Sequence, residues 1–260
     1  MQLGNYFFPP EDQYQNYLDS VYRYPKTAVG RFTRYTHRLR IETIASLLKD
    51  MPGMKILDIG CGGGGLCYRL QESNQVTGLD YSKAAIKMVR DNRQNFKIKF
   101  KTILASAEKL PFQKESFDVI IGSEIIEHLS RPSLVLAEVK RVLKKKGCFI
   151  CTIPNSASLC FGGLYIISRI FKSASKLLSK ETLETHLRYN MVTSCDLVKG
   201  SGLIIEKVGG LYLVPFHIIL LWGQKTGGLE MTGHFLNQHF FDSFLFKRYG
   251  AFTLIMAKKH

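Results

Sequence analysis

The chain has 260 residues, of which 45% are hydrophobic and 22% are charged, a composition typical of a folded domain rather than of a disordered segment. Its 36 Lys and Arg against 21 Asp and Glu give a net charge of +15, which favours contact with an anionic partner or surface. The longest apolar run, Leu211 to Trp222, is shorter than the roughly 20 residues that span a bilayer. The N-terminus lacks the basic start and apolar core of a secretory signal. We therefore expect a cytoplasmic protein, soluble or bound peripherally to a membrane.

Apolar segments and helical segments alternate along the chain. The first 50 residues end in a helix that Pro52-Gly53 closes, and strands are predicted at 54–60, 75–82, 97–106, 117–124 and 148–155. Ser82 can cap a helix that runs to about Asn95, and Pro132 can open a helix that Gly147 stops. This alternation predicts a parallel sheet that is wound on both faces.

Two long segments interrupt that alternation. A last helix at 193–202, a sixth strand at 203–210 and a final strand at 251–259 complete the predicted elements. We therefore predict an N-terminal helical segment, 1–50, and one α/β domain, 51–260, with cap insertions at about 156–190 and 211–246.

The six cysteines have no spacing typical of a disulfide or metal framework. Cys148 and Cys151 form a Cys-x-x-Cys pattern, but residues three apart in a strand point to opposite faces. We therefore expect buried free thiols in a reducing compartment.

The stretch "KILDIGCGGGGLCYRL" places an acid, Asp58, two residues before a glycine run. Gly60, Gly62 and Gly65 satisfy the G-x-G-x-x-G spacing, and Asp80 follows Gly60 by 20 residues, which alone would fit a dinucleotide site. A carboxylate at Asp58 would repel a pyrophosphate, however, and would attract a cationic ligand. The pattern therefore favours a nucleoside that carries an ammonium or sulfonium group.

Five motifs resemble, in order and spacing, those of class I S-adenosylmethionine-dependent methyltransferases, most closely the ubiquinone-biosynthesis O-methyltransferases. They are "LDIGCGGG", "VTGLDYS", "ASAEKLPF", "FDVIIGSEIIEHL" and "RVLKKKGCFICTIPN", between Lys55 and Asn155. The resemblance implies a Rossmann-like, doubly wound, seven-stranded sheet, mostly parallel with an antiparallel last strand, plus helical caps.

The resemblance also implies a set of cofactor contacts. Asp58 and the backbone of Gly60, Cys61 and Gly62 would hold the methionine end of S-adenosylmethionine, and Asp80 would accept from both ribose hydroxyls. The remaining positions would lie near the adenine or the sulfonium: Tyr81, Ser106, Ala107 and Glu108 at the adenine, and Ser123 and Glu124 at the sulfonium. Ser106 departs from the Asp that the family commonly has, although a hydroxyl can still accept a hydrogen bond there.

His128 is the natural general base for a hydroxyl acceptor. Glu124, Glu127 and His128 also match an E-x-x-E-H pattern for which the resemblance implies divalent-metal binding, so these residues could hold Mg²⁺ or Zn²⁺. A third reading gives His128 only a packing role at the strand end. His186 and Tyr189 follow the first insertion and are candidate acceptor contacts, with a surface helix cap as the alternative.

The segment "LCFGGLYIISRIFKSASKLL" combines an apolar stripe with Arg169, Lys172 and Lys176, which would suit an anionic membrane surface. A core-facing stripe is the alternative. With the apolar second insertion, it favours O-methylation of a hydrophobic small molecule or lipid-linked intermediate. The alternatives are an RNA methyltransferase, prompted by the charge, and a non-catalytic cofactor-binding or assembly protein. A nucleic-acid partner is not expected, because the fourth strand ends in "GSEIIEHL" rather than in an Asn-Pro-Pro-Tyr motif.

Overall fold

The computed structural model describes residues 13–22, 28–158, 188–212 and 242–260. Two helices come first, α1 (Gln13–Val21) and α2 (Ala28–Leu48). The strands are β1 (Lys55–Ile59), β2 (Gln75–Asp80), β3 (Lys101–Leu104), β4 (Phe117–Ser123), β5 (Leu143–Pro154), β6 (Ile204–Leu211) and β7 (Phe252–Lys258). The other described helices are α3 (Gly65–Leu70), α4 (Lys83–Asn92), α5 (Pro132–Val142), α6 (Met191–Gly200) and α7 (Phe244–Tyr249).

The strands form one seven-stranded sheet in the order β3-β2-β1-β4-β5-β7-β6. Strands β1 to β5 pair in parallel, whereas β7 runs antiparallel to both β5 and β6. The predicted fold class is therefore confirmed. The strand order reverses between β1 and β4, and open α/β sheets bind ligands in the crevice beyond the strand ends at such a point.

Two apolar clusters cover the two faces of the sheet, as the strand alternation predicts. Ile56 belongs to one cluster and its neighbour Leu57 to the other. Cys148 and Cys151 likewise lie in opposite clusters, and both are free thiols. Side chains of α1 and α2 join the cluster of Ile56, so the N-terminal helices share the core of the sheet.

The predicted start of α4 agrees with the structure, whereas the predicted end of α5 does not. Ser82 caps α4 through its hydroxyl, which accepts from the amide of Ala85 at 3.3 Å. The prediction that Gly147 stops α5 was wrong: the helix ends at Val142 and Leu143 begins β5, paired with Phe117 of β4. The lysine-rich run favours a helix locally, but pairing with the neighbouring strand overrides that preference.

Most of both predicted cap insertions lies outside the described residues, at 159–187 and 213–241. The same holds for the basic amphipathic segment and for His186. Within the described part of the chain, no helix has the length and apolar character needed to cross a bilayer.

Candidate active site

The site lies at the carboxyl edge of the sheet, where consecutive strands deliver polar side chains. Asp58 is near the end of β1, Asp80 ends β2 and Ser123 ends β4. Ser106 follows β3, which is tied to β2 by a hydrogen bond from the amide of Ala105 to the carbonyl of Asp80 at 3.0 Å. The structure thus brings the predicted cofactor residues to one edge.

The glycine turn after β1 depends on backbone conformations that side chains rarely adopt. Gly60 has a φ of +73°, and a Cβ there would lie 2.8 Å from the side chain of Ile125. Gly62 has a φ of +52°, but the nearest atom to its would-be Cβ is the hydroxyl oxygen of Tyr22, at 3.9 Å. Glycine therefore serves close packing at position 60 and keeps space open at position 62.

Asp80 is held by backbone donors on both sides. One carboxylate oxygen accepts from the amide of Gly62 and the other from the amide of Ser82, each at 2.8 Å. Because each carboxylate oxygen can accept more than one hydrogen bond, acceptor capacity remains for a ligand diol.

Asp58 is a buried acid, 3% exposed. The thiol of Cys67 donates to its carboxylate at 3.3 Å. Burial raises the pKa of Asp58 from 3.8 to about 7; the Cys67 hydrogen bond opposes this increase and the charge of Asp80 adds to it. Among the described residues neither Asp58 nor Asp80 forms an ion pair. Two adjacent acids without a counter-charge are complementary to a cationic ligand, so the site fits the sulfonium nucleoside that the sequence predicted.

Arg40 on α2 is a site residue that the sequence reasoning missed. Its Nη1 atom lies 3.7 Å from Oε2 of Glu124, and its side chain is largely buried, with the guanidinium over the ring of Phe252. The buried Nε of Arg40 has no acceptor within the described structure. An arginine between Leu39 and Ile41, inside an apolar helical stripe, was the available signal, because a buried guanidinium needs a partner.

Glu124 is fixed from two sides. Thr152 donates its hydroxyl proton to Oε1 of Glu124 at 3.2 Å, and Arg40 lies near Oε2. Burial raises the pKa of Glu124 to about 7, against the lowering effects of Arg40 and Thr152. Ser123 joins the group through a contact of 3.0 Å between its hydroxyl and that of Thr152.

Glu127 and His128 lie on a short 3₁₀ turn, Ile126–His128. Glu127 is 2% exposed, and neither of its carboxyl oxygens receives a hydrogen bond from another described residue. Burial, with the charge of Glu124, raises its pKa to about 9. The side chain of His128 is 59% exposed, and its Nε2 lies 3.9 Å from Oε1 of Glu127. His128 is therefore at the rim and accessible to an acceptor.

The structure does not assemble the predicted metal site. In the described ranges, no group of three or more His, Cys, Asp and Glu side chains is arranged to hold a metal ion. Glu124 faces Arg40 and Thr152, whereas His128 is exposed. These residues do not fit a metal centre here because a guanidinium already occupies the neighbourhood of one carboxylate.

The predicted adenine contacts surround the ends of β2 and β3. Tyr81 is 83% exposed and Ala107 is buried. The hydroxyl of Ser106 accepts from the amide of Glu108 at 3.2 Å, and Glu108 pairs with Arg131. The adenine roles of these residues remain predictions, and Tyr81 is free to cover a ligand.

Near the predicted acceptor side, Arg188 is a second residue that the sequence reasoning missed. Its Nη1 donates to the carbonyl oxygens of Glu127 and Leu129 at 3.3 and 2.9 Å. Its guanidinium also lies over the ring of Tyr189, 5.4 Å from the centroid. Tyr189 is thereby placed beside the turn that carries His128, whereas its role with the acceptor stays a prediction.

Comparisons with known proteins point to one family. A family model described as "Methyltransferase domain" matches residues 50–209. The mouse mitochondrial ubiquinone biosynthesis O-methyltransferase is 29% identical over 200 residues, which cover 72% of this chain and 50% of the relative. The ubiquinone biosynthesis O-methyltransferase of Pelagibacter ubique is 31% identical over 173 residues, 65% of this chain and 69% of the relative.

Several of the curated relatives, the mouse protein among them, are matched over only about half of their length. Among solved structures, magnesium protoporphyrin IX methyltransferase from Synechocystis PCC 6803, with bound SAH, has a TM-score of 0.64 at 14% identity and covers 96% of this chain and 94% of its own. That likeness supports the fold. Because the family model matches more than half of the sequence, the chain belongs to the methyltransferase-domain family, as an S-adenosylmethionine-dependent member.

Proposed function

We propose that this protein transfers a methyl group from S-adenosylmethionine to a hydroxyl oxygen of a hydrophobic small molecule, with a prenylated phenol or quinol as the model acceptor. The relatives named ubiquinone biosynthesis O-methyltransferase support oxygen as the methylated atom and a quinone-type ring as the acceptor class. The observation that carries the proposal is the pair of buried acids, Asp58 and Asp80, beside the open space at Gly62.

The cofactor, when bound, supplies a methyl group that its positively charged sulfur activates. Asp58 would attract the cationic groups of the ligand, and Asp80 would accept hydrogen bonds from its ribose hydroxyls. Arg40 would meet the carboxylate of the amino-acid end, since its Nε still lacks an acceptor in the described structure and a guanidinium binds carboxylates well. These contacts align the donor, which is worth several kcal/mol of barrier.

His128 would remove the proton of the acceptor hydroxyl. A neutral imidazole is suited to this near neutral pH, and a positioned base accelerates such a reaction about 10²–10⁴-fold. The contact of 3.9 Å between Nε2 of His128 and Oε1 of Glu127 would restrict the orientation of the ring. Arg188 would hold the backbone of the same turn through the carbonyls of Glu127 and Leu129.

The acceptor class can be tested with purified protein and S-adenosylmethionine labelled in the methyl group. Three acceptors are compared: a catechol with a prenyl tail, the same catechol without the tail, and total RNA. We expect transfer mainly to the tailed catechol. Label in RNA alone would support an RNA methyltransferase instead. Binding of the cofactor without transfer into any acceptor, including a whole-cell extract, would favour a non-catalytic protein.

A chelator arm of the same assay tests the metal hypothesis. The structure leads us to expect full transfer after divalent ions are removed, because no described group of ligands converges. Loss of transfer that Mg²⁺ or Zn²⁺ restores would mean that Glu124, Glu127 and His128 rearrange into a metal site.

The variant His128→Ala should lower turnover about 100-fold through loss of the base. Its affinity for S-adenosylmethionine, measured by calorimetry, should stay unchanged, because the side chain of His128 is exposed and its contact is with Glu127 rather than with Asp58 or Asp80. The matched control is His260→Ala at the exposed C-terminus. Equal losses of turnover and cofactor affinity would contradict a role as base.

A further inference from the structure

The amino edge of the sheet, opposite the cofactor site, contains a cavity of about 420 Å³. It lies at the start of the strands β1, β2 and β3, and its lining includes Lys55, Lys99 and Lys101. Pockets that bind small molecules have volumes of about 300–1,000 Å³. The cavity is therefore large enough for more than a single ion, and none of its lining residues belongs to the candidate active site.

The topology explains why this face is open. Lys55 pairs in register with Gln75, and Thr77 pairs with Lys101. Because side chains alternate along a strand, these four residues share one face of the sheet. The connection from β3 to β4, residues 105–116, contains no helix. The amino ends of the three strands therefore keep an uncovered polar face.

The positive charge in the cavity exceeds the negative charge that compensates it. Lys99 pairs with Glu72 at 2.5 Å, whereas Lys55 and Lys101 form no ion pair with any described residue. The nearby acid Asp118 accepts from the backbone amide of Lys55 at 2.9 Å and pairs with Lys144 at 2.7 Å. The charge of Lys55 also contributes to the lowered pKa of Asp118, so one carboxylate is shared by two lysines. Excess cationic charge thus faces the cavity.

Two neutral side chains of the lining, Gln71 and Thr77, can donate hydrogen bonds to a ligand. The side-chain oxygen of Gln71 already accepts from the backbone amides of Lys99 and Phe100, at 2.8 and 3.4 Å. The NH₂ group of Gln71 can still donate a hydrogen bond to a ligand. Thr77 contributes a hydroxyl, which can donate as well as accept. A ligand that matches this lining is an acceptor with negative charge.

We propose that this cavity binds the phosphate group of a soluble phosphorylated small molecule. Lysine ammonium groups on separate strands can surround a phosphate as point charges. A soluble ligand is favoured over a lipid headgroup because the lysines line a concavity rather than a flat surface. The site is independent of the proposed function, because it lies at the other end of the strands from Asp58 and Asp80.

The test uses inorganic pyrophosphate as the probe and calorimetry on the full-length chain. We expect saturable binding that the double variant Lys55→Gln/Lys101→Gln weakens at least tenfold. The matched control is Lys114→Gln/Lys145→Gln, which removes the same charge from exposed lysines at the same edge outside the cavity. The control should change pyrophosphate affinity less than threefold, and both variants should keep the affinity for S-adenosylmethionine.

Equal weakening by the two double variants would overturn the proposal, since it would mean diffuse attraction by the basic edge. Absence of saturable pyrophosphate binding would overturn it as well. Vesicles of phosphatidylglycerol provide the last arm: competition between vesicles and pyrophosphate would assign the lysines to a lipid headgroup and would contradict a soluble ligand. These binding results do not depend on whether the protein transfers a methyl group, so the two proposals can fail separately.

Discussion

The two edges of the sheet differ in the charge of their side chains and in how far those side chains are buried. At the carboxyl edge, Asp58 and Asp80 are buried acids without ion pairs in the described structure, and Glu127 is a third buried acid, whose Oε1 lies 3.9 Å from Nε2 of His128. At the amino edge, lysines such as Lys55 and Lys101 are exposed, and several neighbours pair with acids there. Both edges are built from the ends of the same strands, so strand geometry alone does not explain the difference.

Burial decides what each kind of charge can do. A buried carboxylate loses solvation, which raises the pKa of Asp58 and Glu127 and makes a cationic ligand energetically favourable. An exposed ammonium group keeps its water, so a ligand gains less from each contact, and screening by salt is stronger. The carboxyl edge is therefore suited to tight and selective binding, and the amino edge to weaker attraction that needs a concave shape.

The largest expected effect comes from Asp80→Asn. Loss of charge-assisted hydrogen bonds to a ribose diol should weaken S-adenosylmethionine binding by at least about 100-fold in calorimetry. The control at the amino edge is Asp118→Asn, since Asp118 also holds two donors. That variant should leave cofactor affinity within about twofold of the parent. Similar losses in both would mean that general stability, not ligand contact, accounts for the effect.

Arg40→Met should reduce the affinity for S-adenosylmethionine by about 10- to 50-fold, the value of a charge-assisted contact. Methionine keeps an unbranched apolar stem, so packing against Phe252 is largely preserved. Arg34→Met on the same helix is the control, because Arg34 makes an exposed pair with Asp19. Unchanged calorimetric affinity in Arg40→Met would remove Arg40 from the site.

Two glycine variants distinguish the loss of space for the ligand, which weakens binding, from backbone strain, which lowers stability. Gly62 and Gly53 both have positive φ, +52° and +77°, and neither has an atom within 3.4 Å of its would-be Cβ. Alanine at either position should lower the free energy of unfolding by about 1–2 kcal/mol. Only Gly62→Ala should also weaken cofactor binding, by about tenfold, because its Cβ enters the ligand space. Denaturant titration and calorimetry measure the two quantities, and weaker binding in Gly53→Ala would contradict the assignment.

The smallest effect is a pH dependence from Asp58. With a pKa of about 7 in the free protein, Asp58 is partly protonated at pH 6, and binding of a cation should release its proton. Affinity should therefore rise several-fold from pH 6 to pH 7, and calorimetry in buffers of different ionisation enthalpy should detect the proton. The groups facing Asp58 are Cys67, which lowers its pKa, and Asp80, which raises it.

The raised pKa of Asp58 also makes the stability of the protein depend on pH. Since the folded pKa of Asp58 exceeds its ordinary value of 3.8, its contribution to the free energy of unfolding falls as pH rises from about 4 to about 7. S-adenosylmethionine should oppose that fall. In Asp58→Asn, both the proton release and this part of the pH dependence should disappear. If they persist, another group is responsible.

Local patterns predicted the parts of the molecule that depend on neighbours in sequence. The cap at Ser82, the opposite faces of Cys148 and Cys151, and the turn at Gly60 and Gly62 follow from rules about adjacent residues. The position of Asp58 and Asp80 at one edge also followed, because parallel strands align their carboxyl ends. The end of α5 did not follow, since Leu143 joins β5 through pairing with a strand that is distant in sequence.

By itself, the sequence determined the sheet, the acid pair and the kind of ligand that pair attracts, because these depend on strand alternation and on spacing within a few motifs. Only the tertiary structure decided which residues complete the site. Arg40 reaches Glu124 from a helix before the first strand, and Arg188 reaches the turn of His128 from beyond the first insertion. The cavity lined by Lys55, Lys99 and Lys101 likewise exists only once three strands lie side by side. Such contacts join residues far apart in the chain, and neither hydrophobic periodicity nor motif spacing records them.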